Sequence, residues 1–340
     1  MFKAVVMGAG SIGALKPNKY DSRTTNNILT MAHAFTEHPG TDLVAILDTD
    51  LVKAKRAAKK WGTKAYQYLH EVKGQVDIVA ICIPTADHIS AITLSTTWKE
   101  HKPKLIIGEK PFCENVDQAR RAVKTLDELG IGHLIDYIRR FSIGAQEMKL
   151  CIDQNELGEI YHARVTYGRG FKHEACHAVD LMRYWFGEFY AGNILDMLDV
   201  IIDRGNSDPT MPVYMKFERC PHVLFMPVDG RSYSVFEIEV WGEKGRVAFV
   251  DHGKSMRVYA RAEEKTYGNY MTLESDPLRF NSNLSRALLD LVDNAVGWLN
   301  DDELLLCTGE DAIAVHQIYD ELFSGLASYN ASPRKISEGN

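Results

Sequence analysis

The chain has 340 residues, of which 45% are hydrophobic and 25% charged, with a formal net charge of −7. This length predicts two domains, because a single hydrophobic core stops growing at about 250–300 residues. The negative charge argues against nucleic acid or an anionic membrane as the main partner, since both require basic patches. The basic runs at 53–60, 120–121 and 139–140 lie in helix-like stretches and are interpreted as solvated faces.

No targeting or membrane segment is predicted. Strand-like residues begin at Phe2, and no apolar run approaches the roughly 18 residues that a transmembrane helix needs. The six cysteines are scattered without a CxxC pair, which is typical of neither a zinc framework nor a secreted disulfide scaffold. We therefore expect a cytoplasmic protein.

The first 140 residues alternate between strand and helix signals. Strands are predicted at 2–7, 42–47, 76–83, 104–107 and 131–135, and helices at 50–61 and 115–129. Apolar strands without polar alternation, separated by amphipathic helices, indicate a parallel sheet covered on both faces. The pattern predicts an α/β domain with a doubly wound parallel sheet over residues 1–140.

The pattern changes after residue 140. Helices are predicted at 142–154, 174–186, 283–299 and 310–329, with a strand at 160–168 and mostly strands from 194 to 272. The run 236–241 alternates strictly between apolar and polar residues, so one face of its sheet is buried and the other is wet or covered by a partner. Residues 141–340 are therefore predicted to form an α+β domain with a large, open, mostly antiparallel sheet.

A glycine motif, Gly8-Ala9-Gly10-Ser11-Ile12-Gly13, follows the first strand directly. In a strand-turn-helix setting the first glycine permits a tight turn, the second lets the backbone approach a pyrophosphate, and the third lets helix pack on strand. The motif predicts that a dinucleotide binds this loop, with its phosphates at the amide groups of a helix N-terminus. A plain glycine turn is the alternative.

Asp48 ends the second strand, where a carboxylate can bind the adenosine ribose hydroxyls and repel the extra phosphate of NADP. Alternatively, Asp48 or Asp50 caps the next helix, and both interpretations can hold, one for each residue. Asp48 lies 35 residues beyond Gly13, against a usual ~20. An insertion at 14–25, before the helix proper, explains the excess.

Further motifs follow in a fixed order: Ile83-Pro84-Thr85-Ala86-Asp87-His88, Glu109-Lys110-Pro111, 137–141 and His177-Ala178-Val179-Asp180. In this order the sequence resembles the glucose-fructose oxidoreductase/inositol dehydrogenase/MocA family over nearly its whole length. The resemblance implies a Rossmann domain, NAD or NADP as cofactor, and a sugar, cyclitol or nucleotide-sugar substrate. It also implies a homodimer or homotetramer formed through the C-terminal sheet.

The resemblance implies roles for individual residues. Lys110 and His177 are the expected catalytic pair, Lys110 stabilising a developing alkoxide and His177 exchanging the substrate proton. Pro111 is expected to follow a cis peptide, with Glu109 on the nicotinamide ribose. The residues expected to bind the cofactor are Gly8, Gly10, Ser11, Ile12, Gly13, Asp48, Pro84, Thr85, His88, Glu109 and Lys110. The residues expected to bind the substrate are Tyr137, Arg140, His173 and Asp180.

One position departs from the family pattern. The family commonly has Asp four residues before the catalytic histidine, where this chain has His173. The replacement creates His173-Glu174-Ala175-Cys176-His177, which matches the HExxH motif of zinc hydrolases. A zinc hydrolase would leave the glycine loop and the Glu-Lys-Pro motif unexplained, so we expect no catalytic metal.

The sequence therefore predicts an oxidoreductase that moves a hydride between NAD, preferred over NADP, and a secondary alcohol or carbonyl of a sugar-like small molecule. Two alternatives remain: a family member that retains NAD for non-redox glycoside cleavage, and a nucleotide-sensing protein without turnover. Arg139, Arg140, Arg169 and Lys172 point either to an anionic substrate or to ordinary surface charge.

Overall fold

A computed structural model describes residues 1–98, 102–195, 200–205 and 208–324 of the chain. The described residues divide into two compact units, residues 1–142 with 285–316 and residues 143–284 with 317–324. No helix in the described ranges is long and apolar enough to cross a membrane.

The strands are β1 (Phe2–Met7), β2 (Thr41–Leu47), β3 (Lys64–Tyr66), β4 (Ile78–Ile81), β5 (Leu105–Glu109), β6 (Gly132–Asp136), β7 (Ile160–Tyr167), β8 (Phe189–Ile194), β9 (Val213–Phe217), β10 (Cys220–Pro227), β11 (Phe236–Gly242), β12 (Gly245–Val250), β13 (Ser255–Glu263), β14 (Met271–Leu273) and β15 (Leu278–Asn281). The helices are α1 (Met31–Glu37), α2 (Leu51–Trp61), α3 (His88–Thr97), α4 (Val116–Glu128), α5 (Ile143–Asp153), α6 (Cys176–Phe186), α7 (Ala287–Leu299) and α8 (Gly309–Ser324). The predicted end of the last helix, 325–329, lies outside the described residues.

The first unit is built on a six-stranded sheet in the order β3-β2-β1-β4-β5-β6, and every pair in it is parallel. All four residues of β4 and the first four of β5 are buried, as expected for strands covered by helices on both faces. Crossover helices follow the strands, and α2 and α4 begin at the side-chain caps Asp50 and Asn115. The predicted doubly wound Rossmann fold is confirmed.

The C-terminal part of the chain returns to the first unit, which the sequence did not indicate. Helix α7 packs on α1, where Nε2 of His38 lies 3.1 Å from Oδ1 of Asp293. Thr308 forms a bridge with Leu134 of β6. The predicted division assigns 141–340 wholly to the second domain, whereas residues 285–316 pack with the first unit.

The second unit contains a nine-stranded sheet in the order β14-β13-β12-β11-β7-β10-β9-β8, with β15 paired to β13. All its pairs are antiparallel except β7 with β10, which confirms the predicted open, mostly antiparallel sheet. One face carries the apolar core: Trp185 of α6 stacks on Phe249 at 5.2 Å and donates to the Ala145 carbonyl. The alternation of β11, with Phe236, Ile238 and Val240 buried, places its other residues on the opposite face.

Candidate active site

The glycine loop follows β1 and has the steric constraints that the motif predicts. Gly8 has a φ of +103°, and a Cβ there would collide with the carbonyl of Cys82. A Cβ on Gly13 would overlap the Gly8 carbonyl oxygen, because the backbones of Gly8 and Gly13 approach too closely to leave room for a side chain. A Cβ on Gly10 would meet nothing within 4 Å, so the backbone there faces open space. The loop therefore fits a pyrophosphate lying against Gly10.

The helix after the glycine loop is interrupted. A single turn closes with the N–H groups of Ala14 and Leu15 donating to the Gly10 carbonyl, and the chain then leaves in a loop. Helix α1 then continues the helical hydrogen-bond pattern, with the Met31 N–H donating to the Ile12 carbonyl and the Ala32 N–H to the Gly13 carbonyl. The insertion therefore covers 16–30 rather than the predicted 14–25.

The interrupted turn leaves main-chain donors for an anion. Ser11 and Ile12 are exposed, and their N–H groups find no acceptor within the described ranges. These amides, and not those of α1, are placed to receive phosphate oxygens, because the first N–H groups of α1 already bind the loop carbonyls. Without residues 16–30, Gly13 and Asp48 would be separated by the usual ~20 residues.

Asp48 stands at the carboxyl end of β2 beside this loop. Its Oδ2 accepts from the Ala9 N–H at 2.9 Å, and its Oδ1 accepts from the Asp50 N–H at 2.9 Å. The side chain of Asp50 caps α2 by accepting from Val52 and Lys53. The two aspartates thus divide the roles between them: Asp50 caps the helix, and Asp48 joins the strand end to the glycine loop.

A pocket of about 360 Å³ lies next to Asp48, and the sequence did not predict it. Its walls come from the ends of β1 and β2, from 67–70 and from α3, with Leu69, Leu94 and Trp98 supplying apolar surface. A mostly apolar pocket beside the carboxylate that is expected to bind the ribose is an environment suited to an adenine ring.

The loop after β4 contains Pro84 and Thr85, which start a 3₁₀ turn at the carboxyl edge of the sheet. His88, at the start of α3, is 1% exposed. Its Nε2 lies 2.9 Å from the Ile83 carbonyl and its Nδ1 2.9 Å from the Phe112 carbonyl. The prediction that His88 binds the cofactor is wrong, because both ring nitrogens hold the loops after β4 and β5 together.

The Glu-Lys-Pro motif ends β5, and the Lys110–Pro111 peptide bond is cis, as expected. Glu109 is in register with Asp136, the last residue of β6, and the two carboxyl groups share a hydrogen bond. Burial and the Asp136 carboxylate raise the pKa of Glu109 well above its usual value. Burial raises the pKa of Asp136 from 3.8 to about 6, against the lowering effect of the Glu109 hydrogen bond and the charges of Lys110 and Lys16.

Ionising both of these adjacent buried carboxyl groups is unfavourable, so the pair favours a proton shared between them. The sequence analysis did not identify Asp136, although its position after an apolar strand gave the signal. Cys82, at the end of β4, lies close enough for both carboxyl groups to raise the pKa of its thiol, after the larger effect of burial.

Two expected substrate residues of the first unit are buried. Tyr137 is 1% exposed. Arg140 is 3% exposed, with Nη1 3.1 Å from Oδ2 of Asp311 and 3.0 Å from the Leu306 carbonyl. Arg140 was expected to bind the substrate, but its guanidinium instead ties the end of β6 to the returning C-terminal segment.

In the second unit, His177 and Asp180 lie one turn apart on α6, and both are buried. His173 precedes them in a π-helical turn, Phe171–Ala175, so the HExxH residues do not form one regular α-helix. Asp208 accepts from the N–H groups of Lys172 at 2.6 Å and His173 at 3.0 Å, and burial raises its pKa. Asp208 fixes the turn that carries His173, and the sequence analysis missed it because it lies 35 residues away.

A cluster of three potential metal ligands occurs elsewhere in the described ranges, at Asp127, His133 and Glu310. Nδ1 of His133 accepts from the Gly309 N–H, and Nε2 lies 3.0 Å from Asp127. Both ring nitrogens are thus used in linking β6 to α4 and α8.

Comparison with known proteins gives the same assignment as the motifs. Residues 2–134 match the family model described as an oxidoreductase family with an NAD-binding Rossmann fold. The matched range contains all six strands of the parallel sheet, up to Leu134 of β6.

Relatives extend the match along the chain. An uncharacterized oxidoreductase, YrbE, of Bacillus subtilis is 23% identical over 92% of this chain and 91% of its own length. The scyllo-inositol 2-dehydrogenase (NAD(+)) of the same organism is 27% identical over 45% of this chain and 48% of its own. The WlbA dehydrogenase of Bordetella pertussis, solved with NADH and UDP-GlcNAcA, has the same fold with a TM-score of 0.70, at 17% identity over 96% of both chains.

Proposed function

We propose that this chain is a member of the NAD-binding oxidoreductase family and transfers a hydride between NAD and a secondary alcohol or carbonyl of a sugar, cyclitol or nucleotide sugar. The observation that carries the proposal is the arrangement of the first unit. The glycine loop, Asp48 and Glu109-Lys110 all stand at the carboxyl ends of parallel strands, which is the binding edge of this fold. The similarity to a scyllo-inositol 2-dehydrogenase, and to WlbA with its bound UDP-GlcNAcA, supports a polyhydroxylated substrate.

The cofactor would be held by Gly8, Gly10, Ser11, Ile12 and Gly13. The open space at Gly10 and the amides of Ser11 and Ile12 suit a pyrophosphate. The adenine would enter the pocket beside Asp48, and Pro84, Thr85 and Glu109 would border the nicotinamide half. When bound, the nicotinamide accepts or returns the hydride.

NAD is the proposed cofactor in preference to NADP. The Asp48 carboxylate lies where the adenosine ribose binds in this fold, and it is followed by Thr49 and Asp50 rather than by an arginine. A 2′-phosphate would meet this carboxylate without a compensating cation.

Lys110 and His177 are the proposed catalytic residues. The ammonium group of Lys110 would fix the reacting oxygen and stabilise negative charge on it. His177 would take the hydroxyl proton during oxidation and return it during reduction, and Asp180, one turn further along α6, would orient its ring. His173 and Tyr137 would contact the substrate, His173 as a group that both donates and accepts hydrogen bonds.

Removal of His177 or Lys110 tests these roles. His177→Ala should lower kcat by ~10²–10⁴-fold, the usual effect of losing a general acid/base, and should leave NAD affinity nearly unchanged. Lys110→Ala should also lower kcat. Because both groups act in one step, the double variant should be far less impaired than the product of the single effects predicts. Full activity in His177→Ala would make the histidine structural.

Two alternatives are separated by the fate of the cofactor. A redox enzyme forms one equivalent of NADH for each substrate oxidised. A family member that cleaves glycosides with retained NAD would release product without net NADH, and a sensing protein would bind NAD without turnover.

The assembly that we propose is a homodimer or homotetramer formed through the outer face of the second sheet. That face carries the stacked pair His162 and Trp241 and the ion pair Arg164–Glu239 at 2.9 Å. Leu278 and Phe280 at its β15 edge are 62% and 48% exposed. A wide sheet face with aromatic and apolar groups is typical of subunit contacts.

All six cysteines are free thiols, which favours a reducing compartment such as the cytoplasm.

A further inference from the structure

The insertion 16–30 and the C-terminal half of α2 line an open cavity of about 1060 Å³, here called the basic cavity. Six cationic side chains line it: Lys16, Lys19 and Arg23 from the insertion, and Arg56, Lys59 and Lys60 from α2. None of its lining residues belongs to the pocket beside Asp48. The sequence alone assigns the α2 cations to a solvated helix face, whereas the fold brings a second set of cations opposite them.

The positive charge of the cavity is poorly compensated. No aspartate or glutamate lines it. Within the described ranges, Lys19, Arg23, Arg56 and Lys59 have no carboxylate within 4 Å. In a chain with a net charge of −7, this concavity therefore carries a local excess of positive charge.

The nearest carboxylate is already committed to the framework. Asp21 is fully buried, accepts from Thr30 at 2.8 Å and from the Leu29 N–H at 2.9 Å, and lies 2.7 Å from Nδ1 of His33. Burial would raise the pKa of Asp21, but these hydrogen bonds outweigh it and lower the pKa. Its charge therefore serves to fold the insertion, and of the six cavity cations it approaches only Lys60, at 3.6 Å.

The walls of the cavity are held in place before any ligand arrives. Trp61 donates to the Ala14 carbonyl at 2.8 Å and stacks on His33 at 4.8 Å. Arg23 donates to the Trp61 carbonyl, and Lys60 donates to the Lys16 carbonyl at 2.9 Å. These contacts join the start and the middle of the insertion, and the residues that flank it, to the end of α2, so binding does not have to order the loop.

We propose that the basic cavity binds a phosphorylated small molecule with at least two anionic groups, at a site separate from that of the cofactor. Two guanidinium groups and four ammonium groups suit phosphate oxygens, and a volume of this size exceeds what a single inorganic phosphate fills. A single local concavity in an acidic chain favours a small anion over a nucleic acid, which needs an extended basic stripe.

The experiment is calorimetric titration of the full chain, saturated with NAD, with pyrophosphate, and separately with inorganic phosphate. Pyrophosphate should bind more tightly than phosphate, and its affinity should fall as salt is raised from about 0.05 to 0.3 M because the site is partly exposed. The test variant is Arg56→Glu with Lys59→Glu, both exposed positions of α2 on the cavity. The matched control is Lys53→Glu with Lys55→Glu, exposed positions of the same helix that do not line the cavity.

The test variant should weaken pyrophosphate binding at least tenfold, and the control should change it by less than about twofold, although both alter the net charge equally. If the charge reversal harms folding, neutral variants replace it: Arg56→Gln with Lys59→Gln as the test and Lys53→Gln with Lys55→Gln as the control. Pyrophosphate binding should again be weakened more in the test variant than in the control. Absence of pyrophosphate binding in the wild type would overturn the proposal, as would equal weakening in test and control variants. Tighter binding of a single-stranded oligonucleotide than of pyrophosphate would assign the surface to nucleic acid instead.

Discussion

The buried pair Glu109 and Asp136 makes the stability of the first unit depend on pH, and Asp136→Asn removes part of this dependence. The pKa of Asp136 is raised from 3.8 to about 6 by burial, so the folded chain binds its proton more tightly than the unfolded chain does. The unfolding free energy therefore decreases as the pH rises from about 4 to about 6, and this loss persists above pH 6.

The size of the effect follows from the shift. A change of about two pKa units corresponds to about 3 kcal/mol at 1.36 kcal/mol per unit. Glu109, whose pKa lies well above its usual value, extends the decrease to higher pH in the wild type. The unfolding free energy of Asp136→Asn, relative to the wild type, should therefore increase by about 3 kcal/mol between pH 4 and pH 8.

Urea denaturation at several pH values, followed by circular dichroism, measures this difference. The matched control is Asp117→Asn, since Asp117 has a 73% exposed side chain on α4, and its difference from the wild type should change far less between pH 4 and pH 8 than that of Asp136→Asn. A constant difference between Asp136→Asn and the wild type over the whole range would refute the shared-proton description of the pair.

Three further predictions concern other parts of the chain. Asp48→Ala should narrow the ratio of the NADP and NAD dissociation constants, measured by fluorescence titration; an unchanged ratio would leave Asp48 a purely structural residue. Arg140→Leu should cost about 3–5 kcal/mol in urea unfolding by leaving Asp311 without its buried partner, whereas Arg120→Leu, at an exposed pair, should cost less than 1 kcal/mol. Light scattering at micromolar concentration should report a dimer or larger assembly, and a monomer would contradict the proposed subunit contact.

The sequence was sufficient for the features that depend on local pattern. Continuous apolar runs such as β4 and β5 predicted a parallel sheet, and the glycine spacing after β1 predicted a loop in which Gly8 and Gly13 leave no room for a side chain. The excess separation of Gly13 and Asp48 correctly indicated an insertion. The predicted bounds of the insertion were wrong because the N–H groups of Met31 and Ala32 continue the helical hydrogen bonds of the glycine loop. Hydrogen bonds between segments that are separated by 15 residues leave no local pattern in the sequence.

Features that depend on distant residues could not be predicted in the same way. The resemblance placed Arg140 in the substrate site. Its actual partner, Asp311, lies 171 residues later, so nothing near Arg140 in the sequence indicated their ion pair. His88 has the sequence context of a cofactor ligand, but only the fold shows that its ring joins two loops. Asp136 was within reach of sequence reasoning, because the carboxyl ends of adjacent parallel strands meet at one edge of the sheet.

Hydride transfer to NAD tests the central claim most directly. The chain should be incubated with NAD and a panel of sugars, cyclitols and nucleotide sugars, with NADH followed by absorbance and the oxidised product by mass spectrometry. We expect at least one of these polyhydroxylated compounds to give one NADH for each molecule oxidised, and His177→Ala to lose ~10²–10⁴-fold of that rate. Tight NAD binding without NADH formation from any of them, or product formation without net NADH, would contradict the assignment of a dehydrogenase.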